Sequence, residues 1–307
     1  MAGKVTVAGD SLMEPKTLFV DFARPLLTIP NLAIHMNRNA NDGVAINAQI
    51  DMLPLLTRIT EELDRENFFL EALAKEANRK REDILDYEIY IYNWESGNLL
   101  GLQEEFYSAP RLDNLTSVQA CLNGMIASPR KEGIHAIALY DNEEIGNHTK
   151  QGAASALADH ILEKVYLSLG YSRDIFLNSL LSGFLLSMDV AHAIHPNHGE
   201  KCDIKNQILM GDGVAIKLSS SQSYATDATS TAVIEGILRS GHIPYKKFSN
   251  RSDVRGGSTL GSISSTLLTM RTVDVGVPIL AMHSAREIMG VRDQEALVKL
   301  SEAFFKA

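Results

Sequence analysis

The feature that most constrains this chain begins near Leu99. Short apolar runs stop abruptly at acidic or histidine-bearing turns, and several of them lead into helical periodicity. Residues 133–140 carry Ile134, Ala136, Ile137, Ala138 and Leu139 and are followed at once by Asp141, Asn142, Glu143 and Glu144. Within 152–169, Ala154, Leu157, Ala158, Ile161, Leu162, Val165 and Leu169 recur at the spacing of an amphipathic helix, with Gly170 where a left-handed C-terminal cap belongs. Strands that feed helices predict an α/β sheet, in which functional groups gather beyond the carboxyl ends of the strands. The acidic turns stand in those places.

Upstream the pattern is that of a smaller α/β unit. Two helices are predicted, over 51–63 and 68–79. A strand is predicted over 87–94, where Tyr87, Ile89 and Ile91 alternate with Glu88, Tyr90 and Tyr92. The polar stretch 95–98 with Gly97 is a plausible boundary, which gives domains of 1–98 and 99–307.

With 307 residues, 45% of them hydrophobic, the chain can build one large core or two ordinary ones. A net charge of -9 disfavours a nucleic-acid partner, because the summed field repels phosphate. The two cysteines, Cys121 and Cys202, form no CxxC, so neither a disulfide framework nor a thiolate zinc site is indicated. The sequence has no apolar run of about 18 residues, and the first ten are too short and polar for a signal peptide. The expectation is a cytoplasmic protein without a membrane partner.

Four places carry chemistry-bearing residues. Glu143 and Glu144, adjacent at a strand end, point different ways, so one can bind a metal while the other faces a bound water as general base. A solvated surface pair is the alternative. Asp113, in the stretch Ser108-Ala109-Pro110-Arg111-Leu112-Asp113-Asn114, reads as a turn cap or as a carboxylate bridging two metal ions. Asp189, His192, His195 and His198 fall at a spacing of three and would share a helical face. Pro196 argues against a continuous helix there, and histidines satisfied by backbone groups are the alternative. His283 ends the apolar run 277–282. Asp, Glu and His beyond strands are ligands that zinc, manganese and cobalt accept. Residues 255–261, from Arg255 to Gly261, form a small-residue loop able to approach a ligand, although it lacks the GK[ST] element of a phosphate loop.

In order along the chain, the segments IPNLAIH, APRLDN, LYDNEEIG, MDVAHAIHPN, AIK with YAT, GGSTLG and AMHSARE resemble those of the M18 (aspartyl aminopeptidase) family, over essentially the whole length. The resemblance implies a two-metal exopeptidase-type sheet flanked by helices, incomplete here, with a smaller α/β dimerisation domain on the N-terminal side. It implies metal-dependent removal of N-terminal residues, acidic Asp or Glu among them, from peptides. Asp113 would bridge two divalent metals, zinc first, with manganese or cobalt possible. Glu144 and His283 would complete one ion's coordination and Asp189 would bind the other. Glu143 would take a proton from the bridging water. His192 and His195 would line the cleft, with His195 stabilising the oxyanion. Lys217 would face an acidic substrate side chain, and His35 would reach a neighbouring subunit's site. A homo-oligomer built from dimers, as large as a dodecamer, is implied as well.

The departures also carry expectations. Family members open with a catalytic segment containing His-x-Asp, whose histidine is a metal ligand. None of the nine histidines here has aspartate two residues on. The start Met1-Ala2-Gly3-Lys4-Val5 resembles the middle of the family's second domain. Asn147 stands where serine is usual, and Val214 and Ser262 stand where proline is usual. One metal site short of a ligand, weak or absent activity, and uncovered apolar surface are therefore expected. The rival reading is a non-catalytic assembly or binding protein that keeps the oligomerisation surface.

Overall fold

The computed structural model describes residues 1–60, 63–129, 132–254 and 256–307, which cluster into two units, Met1–Trp94 and Glu95–Ala307. In the first, β1 (Ala2–Ser11) and β2 (Glu14–Asp21) form a hairpin. α1 (Phe68–Glu76) and β3 (Ile84–Tyr90) follow, and β1 lies between β2 and β3, antiparallel to both. Val5, Val7 and Val20 make its small core, with Leu18, Ile84 and Ile89 packed against them. The period-two alternation of β1 thus turns its valines inward. The strand predicted over 87–94 starts earlier and ends earlier, because its register is set by β1, with Ala2 opposite Tyr90.

The helix predicted over 51–63 is absent among the described residues, Glu61 and Glu62 of that stretch lying outside them. Pro54 removes a backbone donor and biases Leu53 away from helical angles, and Thr57, Ile59 and Thr60 are β-branched. Instead Leu55 makes a two-way backbone bridge with Thr28, at 2.7 and 3.2 Å.

In the second unit the elements run β4 (Asn98–Leu100), β5 (Phe106–Ala109), α2 (Leu112–Ala127), α3 (Leu157–Ser168), α4 (Arg173–Ser182), β6 (Phe184–Met188), β7 (Ala191–His192), β8 (Val214–Leu218), α5 (Ala228–Ser240), β9 (Tyr245–Ser249), α6 (Leu260–Leu268), β10 (Arg271–Gly276), β11 (Pro278–Leu280), β12 (Glu287–Gly290) and α7 (Val291–Lys306). One sheet has the order β6-β10-β8-β9 and the other β4-β5-β12-β11-β7. β10 pairs parallel with β6, and β8 parallel with β9.

The run from β10 into β11 passes from one sheet to the other. Val273, Val275, Val277 and Ile279 along it are buried, together with Val214 and Ile216 of β8, Ile234 and Leu238 of α5, and Leu297 and Leu300 of α7. Thr272 and Asp274 on the opposite face are buried too. A strand covered on both faces reads as a near-continuous apolar run. The mixed α/β architecture, sheets flanked by helices, is the one the sequence predicts.

Two expectations change in form. Residues 133–140 form no helix and belong to no sheet among the described residues, with Gly133 left-handed at φ 78. The helix predicted from 152 begins at Leu157. Residues ahead of it are tied to Asn147: the Ala153 N–H donates to its Oδ1 (3.4 Å) and the Ala154 N–H to its carbonyl (3.3 Å). Gly170, at φ 84, closes the helix as the sequence suggests.

Candidate metal centre

Asp113 stands at the start of α2, with non-helical angles and a cis peptide to Asn114, just after Arg111 in the left-handed region (φ 59). Glu144 lies in the single turn Glu143–Ile145, entered through left-handed Asn142 (φ 62). His283 follows β11 and is itself left-handed (φ 66). His283 Nε2 is 3.2 Å from both Asp113 Oδ2 and Glu144 Oε2, and one ligand atom of each residue lies within 4.8 Å of the others. Among the described residues this is the one such group of His, Cys, Asp and Glu. Two carboxylates and an imidazole, open on one side, are the ligand set of a catalytic zinc.

The electrostatics agree with that donor set. Asp113, only 8% exposed at its side chain, is pushed up to about 8 by burial and then by the charges of Asp189, Glu144, Glu287 and Glu143. Burial and the same neighbours, Asp189 then Glu144, also raise Glu143, while a hydrogen bond from Asn147 and the charge of Lys217 pull it down. Carboxylates crowded to this degree favour a cation among them.

Left-handed backbone at a non-glycine residue costs about 1–2 kcal/mol and persists where surroundings enforce it. Asn142 is held by Thr149 Oγ1 (2.9 Å) and Gln151 Nε2 (2.8 Å), both donating to its Oδ1. His283 is held by Glu287, whose Oε1 accepts the His283 N–H at 2.8 Å while Oε2 accepts the Asp113 N–H at 3.0 Å. One buried carboxylate on β12 thereby fixes the backbone of two of the three candidate ligands. Arg286 beside it donates to the Ser108 carbonyl at 2.8 Å and so fastens β5, from which Asp113 departs. The sequence reading assigns no role to Glu287 or Asn142. A charged residue inside the short alternation 287–290 is the signal that could have found the first.

Asp189 follows β6. Its Oδ2 is 3.3 Å from Lys217 Nζ, and that ammonium also donates to the Val190 carbonyl at 2.8 Å. The Lys217 side chain is 4% exposed, and its charge sits 4.8 Å from the centroid of Tyr224. The helical face considered for Asp189 to His198 does not form. His192 ends β7, residues 193–195 are irregular, and a turn follows at Pro196 and Asn197. His192 and His195 are exposed, and the Asn197 N–H donates to His195 Nδ1 at 3.2 Å, which leaves the His195 ring proton on Nε2. His35 is exposed in a turn of the first unit. In the small-residue loop Arg255 lies outside the described residues. Gly261 there abuts a buried carboxylate: a Cβ on it would stand 2.3 Å from Asp274 Oδ1. Asp274 accepts from Ser187 Oγ (2.5 Å), Thr259 Oγ1 (2.8 Å) and the Ala225 N–H (2.6 Å).

Comparison with known proteins follows the same line. The family model described as aminopeptidase I zinc metalloprotease (M18) matches residues 1–305. A probable M18 family aminopeptidase 2 of Clostridium novyi is 43% identical over 305 residues, which are 99% of this chain and 70% of that protein. Among solved structures, the chain of the Ape4 and Nbr1 complex superposes with a TM-score of 0.90 at 31% identity, covering 99% of this chain and 62% of that one. The S. cerevesiae mApe1 dodecamer shares the fold, with a TM-score of 0.77 at 24% identity over 99% of this chain and 68% of its own. The chain therefore spans between about three fifths and seven tenths of these relatives, and it belongs to the M18 family of aminopeptidase I zinc metalloproteases.

Proposed function

We propose that the chain is a metal-dependent aminopeptidase in which Asp113, Glu144 and His283 hold a divalent ion, zinc first, and Glu143 is the general base. The supporting observation is the placement of His283 Nε2 at 3.2 Å from two carboxylates, with half-buried Glu143 adjacent in the chain to one of them, Glu144. A metal in that set supplies Lewis-acid polarisation of a scissile carbonyl. Glu143, with its pKa raised, takes a proton from the attacking water and delivers it to the departing amine nitrogen. His195 offers its Nε2–H to the developing oxyanion, and His192 lines the same cleft. His35 serves the cleft of another copy in a homo-oligomer, in keeping with the dodecamer formed by mApe1. Two free cysteines fit a reducing, cytoplasmic setting.

A second ion would rest on Asp113 and Asp189, and Asp189 is already engaged by Lys217. Turnover by the chain on its own is accordingly low. The test is hydrolysis of aspartyl and leucyl amides by the purified chain with zinc, manganese or cobalt. Metal-supported release of the N-terminal residue at a low rate is expected; no metal-dependent hydrolysis of any amino-acyl amide would sink the reading.

Preference for acidic residues through Lys217 is its finer part. Lys217→Met should cut turnover of aspartyl amides more than that of leucyl amides. An equal loss on both would leave the ammonium to its buried pair with Asp189.

A further inference from the structure

β10 lies between the strands that carry the two members of the Asp189–Lys217 pair, with β6, which runs into Asp189, on one side and β8 on the other. Asp274 sits on this middle strand, fully buried and directly opposite Ser187. Its carboxylate takes no part in the chemistry proposed above. Oδ1 accepts from Ser187 Oγ and Thr259 Oγ1, and Oδ2 accepts the Ala225 N–H. The Asp274 N–H donates to Thr226 Oγ1 at 2.9 Å. All four partners are neutral. A buried anion ringed by neutral donors often does no more for stability than packed apolar atoms of the same volume. What it adds is direction, because a carboxylate only accepts and so fixes which way each donor points.

The groups it fixes lead to one place. Ser187 is two residues ahead of Asp189. Ala225 follows Tyr224, whose ring packs with Ala191, Ile208, Ala215 and Phe248 and lies 4.8 Å from Lys217 Nζ. Lys217 in turn donates to Asp189 Oδ2 and to the Val190 carbonyl. One carboxylate thus ties the strand that presents Asp189 to the turn that seats Tyr224 on the ammonium. The Thr259 N–H also donates to the Ser223 carbonyl at 3.2 Å, which joins the two loops it holds. Ser223, Thr226, Gly256 and Ser258 of these loops line a cavity of about 1260 Å³. Open space on that side offers no packing to hold the loops, so their position depends on the bonds to Asp274.

We infer that Asp274 is a positioning residue for Lys217, holding the ammonium where it meets Asp189 and an acidic substrate side chain. The part that concerns substrate rests on the proposed function; the placement of Lys217 does not. Without the carboxylate the turn at 224–226 shifts, and the ammonium leaves the face of Tyr224. Asp113 and His283 are fixed separately, by Glu287. A change at Asp274 therefore reaches Lys217 before it reaches the candidate metal ligands.

The test is Asp274→Asn in the full chain, which keeps the volume and removes the charge. In the parent, the ε-methylene protons of Lys217, assigned by comparison with Lys217→Met in isotope-labelled lysine spectra, should be shifted upfield by the Tyr224 ring. The variant should lose that shift, and acetylation of Lys217, followed by mass spectrometry, should speed up about tenfold. The KM for aspartyl amides should rise about tenfold, more than the KM for leucyl amides, while zinc affinity by calorimetry holds. Should Asp274→Asn not fold, Thr226→Val removes the acceptor of the Asp274 N–H and carries the same test, with a smaller expected change. An unmoved lysine signal with an unchanged acetylation rate overturns the inference. So does a loss shared equally by zinc affinity and Lys217 shielding, or failure of both variants to fold, since either makes Asp274 a stability residue only. A moved lysine signal with an unchanged aspartyl KM upholds the positioning and counts against the substrate preference instead. If the parent hydrolyses no amide, the proposed function fails and the lysine signal still decides the role of Asp274.

Discussion

Residues 271–280 and 133–140 are both apolar, strand-like runs that lead to a residue of the candidate site. The first is paired on both sides in β10 and β11, buried on both faces, and ends near His283, whose backbone Glu287 clamps. The second belongs to no sheet among the described residues and leads to Glu143 and Glu144, in a turn held by Asn142. One side of the site is thus built on a core, while the other is built on a loop and a single turn. Apolar alternation specifies an extended chain; a rigid platform also requires a neighbour to accept its hydrogen bonds.

That contrast can be broken or sharpened, beginning with the largest expected effect. Glu143→Gln should lower amide hydrolysis about 10²–10⁴-fold and leave zinc affinity by calorimetry unchanged, whereas an equal fall in affinity would make Glu143 a ligand. On the rigid side, Glu287→Ala strands two backbone N–H groups. It should lower zinc affinity about 10–100-fold and depress the thermal midpoint, at about 1–3 kcal/mol per orphaned donor. A lower midpoint with intact affinity would reduce Glu287 to a structural role.

Protons give the next comparison. Asp113, raised to about 8 in the metal-free chain, must lose its proton to bind a metal. Zinc affinity should therefore rise about tenfold per pH unit below that value and then level off. A folded pKa above the unfolded one means stability present at low pH and lost as pH climbs through about 8. The metal-free chain should lose stability across that window, and Asp113→Asn should flatten the slope. On the looser side, Asn142→Ala removes an acceptor of two hydrogen bonds at a left-handed position. A loss of about 1–2 kcal/mol is expected, read by denaturant unfolding, with a smaller drop in zinc affinity than Glu287→Ala produces.

Much of the site was legible before any coordinates. Asp113, Glu144 and His283 were marked by residue type and by position after apolar runs, and the structure brings them together from elements about 30 and 140 residues apart in sequence. The amphipathic pattern of 152–169 located α3 and its Gly170 cap, since a helix signal is local. Glu287 and Asn142 were invisible because their roles are to hold backbone groups of residues brought near by folding. The helix predicted over 51–63 failed where Pro54 and β-branched residues outweighed periodicity.

By itself, then, the sequence determined the α/β class from local pattern, and the family and its candidate ligands through the resemblance of its ordered segments to M18 members. Only the tertiary structure decided which apolar run became a buried, paired strand and which joined no sheet among the described residues. It also decided that Lys217 is buried against Asp189, and that one carboxylate clamps two of the three candidate ligands. The reason is physical: ladders, burial and shared hydrogen bonds belong to pairs of distant residues, and no run of neighbours encodes them on its own.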